Sequence, residues 1–181
     1  MTTYVALLRG VNVGNRKVPM EDLRELAVGL GFSDVATYIQ PGNLLFESGD
    51  GPEGIRDALE GALKERFGRE IPVAVRTGPQ MVEAYQGCPF VPAEGEVVYV
   101  GFLVCRASAD LLAALADEGR AEGDDRDAAV VADDRVYVLY RHGVHVSPLS
   151  NAWMERRLKV PVTSRNLRTV HQVATRAGAL V

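Results

Sequence analysis

The chain has 181 residues, of which 47% are hydrophobic and 24% charged, and its formal net charge is −4. This balance is ordinary for a globular protein, and the length fits one large domain or two small domains that pack together. The two cysteines, Cys88 and Cys105, form no CxxC pattern, which argues against a zinc site or a disulfide framework and suits a reducing compartment.

Charge and hydropathy bear on the cellular setting. The chain opens without a basic segment followed by a long apolar core, and no run approaches ~20 apolar residues, so we expect a cytoplasmic protein with no signal peptide and no membrane span.

Residues 141–181 hold seven Arg or Lys and one Glu, so the acidic excess lies in the first 140 residues. A basic tail of this kind either binds phosphate or nucleic acid, or consists of solvated helix faces.

The first half predicts six elements. Short apolar runs bounded by turn residues predict strands at 4–8, 35–40, 44–47 and 71–76. Two stretches of helical periodicity begin at Pro19 and at Pro52, a residue type well suited to the first position of a helix. Gly42-Asn43 supplies the turn between the middle strands. The resulting order, β-α-β-β-α-β, is that of a ferredoxin-like sheet with both helices on one face.

The second half predicts a related arrangement. Strands are predicted at 97–104, 128–131 and 136–140, and helices near 80–85, at 111–116, from 150 to 158 and from 163 onward. Thr163 or Ser164 is the predicted cap of the last helix. We therefore predict an α+β fold in which a ferredoxin-like subdomain, residues 1–78, shares one core with a second α+β subdomain, residues 79–181, that ends in a helix pair.

Three separated segments resemble one protein family. They are "YVALLRGVNVGNRKVP" at 4–19, "GFSDVATYIQPGNLLF" at 31–46 and "PVTSRNLRTV" at 161–170. Together they resemble the bacterial domain-of-unknown-function family 1697, and the resemblance covers nearly the whole chain. It implies a small soluble α+β protein of two subdomains and no established reaction.

The chain departs from the family pattern at several positions. Asn15 stands where a second glycine is usual, although asparagine tolerates a left-handed backbone better than most residues. Pro41 replaces a serine, Pro148 replaces a lysine, and Leu167 replaces a tryptophan. These changes remove polar, cationic and stacking groups, and so weaken a nucleic-acid or phosphate interpretation without removing the arginines.

The loop from Arg9 to Lys17 is the first candidate site. A strand end, glycines and a helix start can direct free N–H groups and the helix dipole at an anion. Arg9, Arg16 and Lys17 would supply positive charge, with Asn12 as a further polar ligand, although the loop is neither a Walker A loop nor a G-x-G-x-x-G fingerprint. The alternative is a turn whose glycines are needed sterically and whose charges are solvated.

Two further groups of polar residues lie at predicted element ends. Gln40 would share a strand face with Tyr38, and Asn43 follows in the turn, where it could equally be a turn residue. Arg165 and Asn166 would lie in the first turn of the last helix, where free N–H groups can donate hydrogen bonds to an anion. We predict that six of the polar residues converge on a polar cleft between the subdomains: Arg9, Asn12, Gln40, Asn43, Arg165 and Asn166.

The sequence favours no metal site and no cofactor. His142 and His145 would point to opposite faces of an extended chain, and no third ligand accompanies them. The leading hypothesis is a protein that binds a phosphate- or carboxylate-bearing small ligand. An RNA- or single-strand-binding module is an alternative, and so is an enzyme whose reaction and catalytic residues the sequence does not identify.

Overall fold

The structure, a computed structural model, describes residues 1–39, 42–119 and 127–178. Its contacts divide the chain into two compact units, Met1–Glu83 together with His171–Val181, and Ala84–Val170. The predicted boundary after residue 78 separates two subdomains that fold as units. A grouping by contacts does not test which segments fold as units, so this boundary stays a prediction.

The first unit contains one antiparallel sheet with helices. Its elements are β1 (Thr2–Leu8), α1 (Met20–Gly29), β2 (Ser33–Thr37), β3 (Asn43–Ser48), α2 (Pro52–Phe67) and β4 (Val73–Thr77), and α3 (Gly78–Gln86) follows at once. The strand order is β2-β3-β1-β4, and every neighbouring pair is antiparallel. The β-α-β-β-α-β order predicted for this half is the order observed.

The ends of α1 and α2 are determined by their local sequence. Pro19 precedes α1, and after its last turn Gly31 adopts a φ of +85° while the N–H of Phe32 reaches the carbonyl of Ala27 at 3.2 Å. This is the Schellman motif, which suits glycine because it needs a left-handed residue. In α2, Pro52 lies in the first turn and Gly68 ends the helix at a φ of +67°.

The two faces of the first sheet both carry buried side chains. Leu23 of α1 and Leu59 of α2 belong to the main apolar cluster with alternate residues of the strands, such as Ala6 and Phe46. On the opposite face, the fully buried residues include Val5, Leu7 and Ala74, and two polar side chains, Asn43 and Arg76, are buried there as well.

The second unit repeats the same order of elements. They are β5 (Val97–Leu103), α4 (Ala109–Gly119), β6 (Ala128–Val131), β7 (Arg135–Tyr140), α5 (Asn151–Leu158) and β8 (Val162–Asn166), and α6 (Leu167–Arg176) follows. The strand order is β6-β7-β5-β8, again antiparallel throughout. Ser150 caps α5 as predicted, because its Oγ accepts the N–H of Trp153 at 3.2 Å.

The prediction for residues 163–166 is wrong. They form strand β8, in which Thr163 pairs with Phe102 and Arg165 with Val100, and the last helix begins only at Leu167. These residues form a strand because they pair with the edge of β5 and pack against its apolar face. This contact is distant along the chain, so local cap chemistry does not reveal it. The second half therefore has a fourth strand where the sequence predicts the start of a helix.

A smaller correction concerns the strand before the Gly42-Asn43 turn. β2 ends at Thr37, so Tyr38 lies outside the strand and its predicted place on a strand face is wrong. The pairing of β2 with β3 also shifts register between Ser33 and Ala36. Gln40 and Pro41 lie outside the described residues, so the predicted position of Gln40 remains a prediction.

The α+β class is confirmed by two four-stranded antiparallel sheets that carry helices. Among the helices of the described ranges, none is both long enough and apolar enough to cross a bilayer.

Candidate anion-binding loop

The loop between β1 and α1 is held at both ends by buried valines. Val11 and Val18 are fully buried, while residues 13–17 between them are exposed. Asn12 closes the loop, because its Oδ1 accepts the N–H of Val18 at 3.0 Å and its own N–H donates to the carbonyl of Arg16 at 2.7 Å. The exposed tip is thus tied across its base rather than free to open.

The backbone of this loop needs residues that tolerate positive φ. Gly10, Asn12 and Gly14 have φ values of +64°, +57° and +58°. Asparagine is among the few residues other than glycine that adopt this region readily, and here its side chain also closes the loop. A Cβ added at Gly10 would lie 3.7 Å from Nη1 of Arg16, so the Arg16 guanidinium lies beside the Gly10 backbone.

The tip is positively charged. Arg16 and Lys17 are exposed, and within the part of the chain that the structure describes neither side chain forms an ion pair or a hydrogen bond. One more cation comes from a neighbouring connection, since Nη2 of Arg69 lies 3.5 Å from the Lys17 carbonyl. The main chain of Arg9 is held at the end of β1, where its N–H donates to the Pro72 carbonyl at 2.9 Å. No acidic residue occurs between positions 9 and 19.

Arg69 is a candidate residue that no local sequence pattern indicates. It lies in the connection between α2 and β4, far from the loop in sequence, and only the pairing of β4 with β1 brings the two segments together. Its sequence signal is weak, since one arginine after a glycine-capped helix end is common.

The N-terminus of α1 offers less to an anion than the sequence predicts. Its first turn carries Glu21 and Asp22, and Oδ1 of Asp22 accepts a hydrogen bond from Nη2 of Arg66 at 2.9 Å. Carboxylates in the first turn already interact with the positive end of the helix dipole. Positive potential at this site therefore comes from the loop side chains.

The Gly42-Asn43 turn packs directly against this loop. A Cβ at Gly42 would lie 2.8 Å from Cγ2 of Val11 and 2.9 Å from Cβ of Leu8, and the N–H of Leu8 donates to the Gly42 carbonyl at 3.0 Å. Two of the predicted groups of polar residues thus come together within the first unit.

Asn43 itself supports the turn. Its side chain is fully buried, and Nδ2 donates to the carbonyls of Tyr38 at 2.7 Å and Ile39 at 3.3 Å. Ile39 has a φ of +47°, an uncommon value for a β-branched residue. The Asn43 amide holds the two carbonyls that this conformation brings together, as expected if Asn43 is a turn residue.

Arg165 and Asn166 belong to the second unit. Arg165 is buried, and its Nη1 donates to Thr163 Oγ1 at 2.8 Å and to the Ser164 carbonyl at 2.9 Å. Burial lowers the pKa of Arg165 to about 10 because desolvation disfavours the charged form. Asn166 Oδ1 accepts the N–H of Arg168 at 2.9 Å at the start of α6. The predicted convergence of these residues with Arg9 stays a prediction.

Metal binding and thiol chemistry are two other possible functions of the side chains. In the described ranges no three His, Cys, Asp or Glu side chains are grouped so as to hold a metal ion. Burial raises the pKa of the Cys88 thiol, whose Sγ lies 3.6 Å from the Phe90 carbonyl, and a raised pKa lowers the reactive thiolate fraction at neutral pH.

Comparison with known proteins gives a family and a fold. A family model described as protein of unknown function (DUF1697) matches residues 1–137. The solved structure of a conserved bacterial protein from Streptococcus pneumoniae is similar, with a TM-score of 0.70 and 22% identity, and the match covers 98% of this chain and 99% of that one. At this identity the likeness shows the fold alone. A search of curated proteins found no match.

Proposed function

We propose that this chain, which belongs to DUF1697, a family of proteins of unknown function, binds a small phosphate- or carboxylate-bearing ligand at the loop after β1. One observation carries the proposal: Arg16 and Lys17 project from a closed loop with no acidic partner among the described residues. Elsewhere in this unit, exposed cations such as Arg66 and Lys64 have carboxylate partners.

The closed loop favours binding because little order has to be created when a ligand arrives. Asn12 and the buried Val11 and Val18 hold the tip in one conformation, which reduces the entropic cost of fixing the ligand. Arginine can donate two parallel hydrogen bonds to one phosphate or carboxylate, whereas lysine contributes a point charge. Arg69 lies beside the tip and would extend the positive surface, and Arg9 remains a predicted ligand.

Gln40, Arg165 and Asn166 remain predicted ligands, and the loop residues can be tested without them. We also infer a ferredoxin-like arrangement for each unit, supported by the shared strand orders β2-β3-β1-β4 and β6-β7-β5-β8. A cytoplasmic location is supported by the two free cysteines, Cys88 and Cys105.

A thermal-shift screen tests the proposal. Inorganic phosphate, adenosine monophosphate, glucose 6-phosphate and citrate are added separately to the full chain. A ligand at a hundred times its Kd stabilises the folded state by about 2.7 kcal/mol, which raises the Tm of a chain of this size by about 5–10 °C.

Paired variants separate the loop from general charge. Arg16→Gln combined with Lys17→Gln removes two charges from the tip and should abolish the shift. Arg56→Gln combined with Arg156→Gln removes the same charge from α2 and α5 and should retain it. The proposal fails if no member of the panel shifts the Tm, or if both double variants respond as the natural chain does.

The salt dependence of binding distinguishes a nucleic-acid site from a small-anion site. Binding of a short RNA that neutralises several phosphates weakens steeply with salt, whereas binding of one small anion to the loop weakens less. Tight binding of the RNA with a steep salt slope, and no response to the small anions, would support the RNA-binding alternative.

A further inference from the structure

The connection between β1 and α1 is longer than the same connection in the second unit. Both connections start at equivalent residues, because the N–H groups of Arg9 and Val104 each donate to the carbonyl of a proline that precedes an edge strand, at 2.9 and 3.0 Å. The second unit then reaches α4 through five residues, 104–108, whereas the first unit reaches α1 through eleven, 9–19. The additional length is therefore not required by this order of elements, and it is typical of a functional loop.

Two adjacent main-chain donors lie at the base of this loop. Within the described ranges, the N–H groups of Gly10 and Val11 donate to no main-chain or side-chain atom. Val11 is fully buried, and a buried main-chain N–H group without an acceptor is rare in folded proteins. Gly10 has a φ of +64° between two residues of negative φ, and such a change of sign can direct successive N–H groups toward one anion.

The guanidinium of Arg16 lies beside these donors. A Cβ added at Gly10 would lie 3.7 Å from its Nη1, and in the part of the chain that the structure describes Arg16 forms no ion pair. The Arg16 side chain is exposed, so it can rotate to admit an oxygen atom between the guanidinium and the two N–H groups. A charged group with several donors and two main-chain donors thus adjoin one position.

These donors match a phosphoryl group better than a carboxylate. A guanidinium binds two oxygens of one anion through parallel hydrogen bonds. A phosphate monoester has a third terminal oxygen outside the plane of those two bonds, which main-chain N–H groups can bind, and it carries nearly two negative charges. A carboxylate has only two oxygens, and both lie in the plane of the guanidinium when the pair is bidentate.

We propose that the loop binds the terminal phosphoryl group of a phosphate monoester between the Arg16 guanidinium and the N–H groups of Gly10 and Val11. This inference rests on the proposed function, because it specifies the ligand class and the donors of the same loop. Glycine is required at position 10 because a Cβ there would lie beside the guanidinium, in the space that the phosphoryl group takes.

Titration of the full chain with methyl phosphate, followed in the ¹H–¹⁵N spectrum at about pH 8, where the monoester is a dianion, tests this proposal. We expect the amide protons of Gly10 and Val11 to shift downfield, because they donate hydrogen bonds to a charged oxygen. Two other anions should bind at least about tenfold more weakly. Malonate carries the same charge on two carboxylates, and dimethyl phosphate has only two terminal oxygens.

Two alanine variants form a matched pair. Gly10→Ala and Gly31→Ala both place alanine at a left-handed φ, +64° and +85°, so both should lower the Tm. Only Gly10→Ala adds a methyl group beside the Arg16 guanidinium, since nothing lies within 4 Å of a Cβ at Gly31. Gly10→Ala should weaken the binding of methyl phosphate about tenfold, and Gly31→Ala should change it by less than about twofold.

Some results would overturn this inference and leave anion binding at the loop intact. They are equal affinity for methyl phosphate and either of the other two anions, unchanged amide protons of Gly10 and Val11 at saturation, and equal affinity of the two alanine variants. An absence of any response to all three anions would overturn the inference together with the proposed function.

Discussion

Arg76 and Arg165 occupy equivalent positions in two sheets of the same topology. Each is the penultimate residue of an edge strand and a buried arginine, and each pairs with a valine of the neighbouring strand, Val5 for Arg76 and Val100 for Arg165. A helix begins directly after each strand, at Gly78 in one unit and Leu167 in the other. The two units therefore place a buried guanidinium at the same point of the same β-α-β-β-α-β pattern.

Short sequence segments accompany this equivalence. "IPVAVRT" at 71–77 corresponds to "VPVTSRN" at 160–166, and "YVALL" at 4–8 corresponds to "YVGFL" at 99–103. The shared proline precedes the strand, where its missing N–H costs no ladder hydrogen bond, and its carbonyl accepts from the residue after the partner strand in both units. This correspondence explains why residues 162–166 form a strand despite their cap-like composition.

Gly42→Ala should destabilise the protein much more than Gly14→Ala. Both glycines have a φ of +58°, so both substitutions incur the cost of a left-handed alanine, about 1–2 kcal/mol. At Gly42 the new methyl group would also meet Val11 and Leu8 at under 3 Å, whereas at Gly14 nothing lies within 4 Å. Overpacking should add about 1–3 kcal/mol to the loss at Gly42, measured by urea unfolding. Equal losses would show that the turn does not pack on the loop as described.

Asn12→Ala should lower the free energy of unfolding by about 2–4 kcal/mol. It leaves the Val18 N–H without its acceptor and places alanine at a φ of +57°. Asn12→Gly removes the same hydrogen bond without the conformational cost, so it should lose about 1–2 kcal/mol less. Chemical denaturation of both variants gives the comparison, and an Asn12→Ala protein as stable as the natural chain would contradict the closed loop.

Arg165→Ala should destabilise the second unit by about 3 kcal/mol, since it removes a buried side chain and leaves Thr163 and the Ser164 carbonyl without their donor. Arg165→Lys keeps a charge and loses the planar fork of donors, so it should restore only part of the stability. Arg168→Ala, an exposed neighbour in α6, serves as the control and should stay within about 0.5 kcal/mol. If Arg165→Ala is as mild as the control, a structural role for Arg165 is excluded.

Tyr140 should ionise only in strongly alkaline solution while the protein is folded. Burial raises its pKa to about 12, helped by the negative charge of Asp127 and by Tyr99, and its hydroxyl donates to the Leu149 carbonyl at 2.7 Å. Because the folded pKa lies above the unfolded value of about 10, this group stabilises the fold fully below pH 10 and the contribution is lost as pH rises from 10 to 12.

Tyrosinate absorbance during an alkaline titration measures this shift. The natural chain should show a tyrosinate phase near pH 12, and Tyr140→Phe should reduce its amplitude by one tyrosine. A titration complete by pH 10.5 in the folded protein would contradict a buried Tyr140.

Local patterns were sufficient for most of the elements and for the composition of the loop. Pro19, Pro52, Gly31 and Ser150 act at helix ends through contacts within a few residues, so their effects are visible in sequence. For the same reason the sequence predicts the exposed cations Arg16 and Lys17 and the turn at Gly42-Asn43.

Only the tertiary structure decided what depends on contacts distant along the chain. The strand at 162–166 forms because β5 pairs with it, Arg69 joins the loop because β4 pairs with β1, and Asn43 is directed at main-chain carbonyls rather than at solvent. The contact of Arg176 with the Tyr38 ring forms because the end of α6 reaches the residue after β2. Helix ends follow from hydrogen bonds between near neighbours, whereas strand pairing, burial of polar groups and contacts between distant side chains arise from long-range packing, which no local pattern encodes.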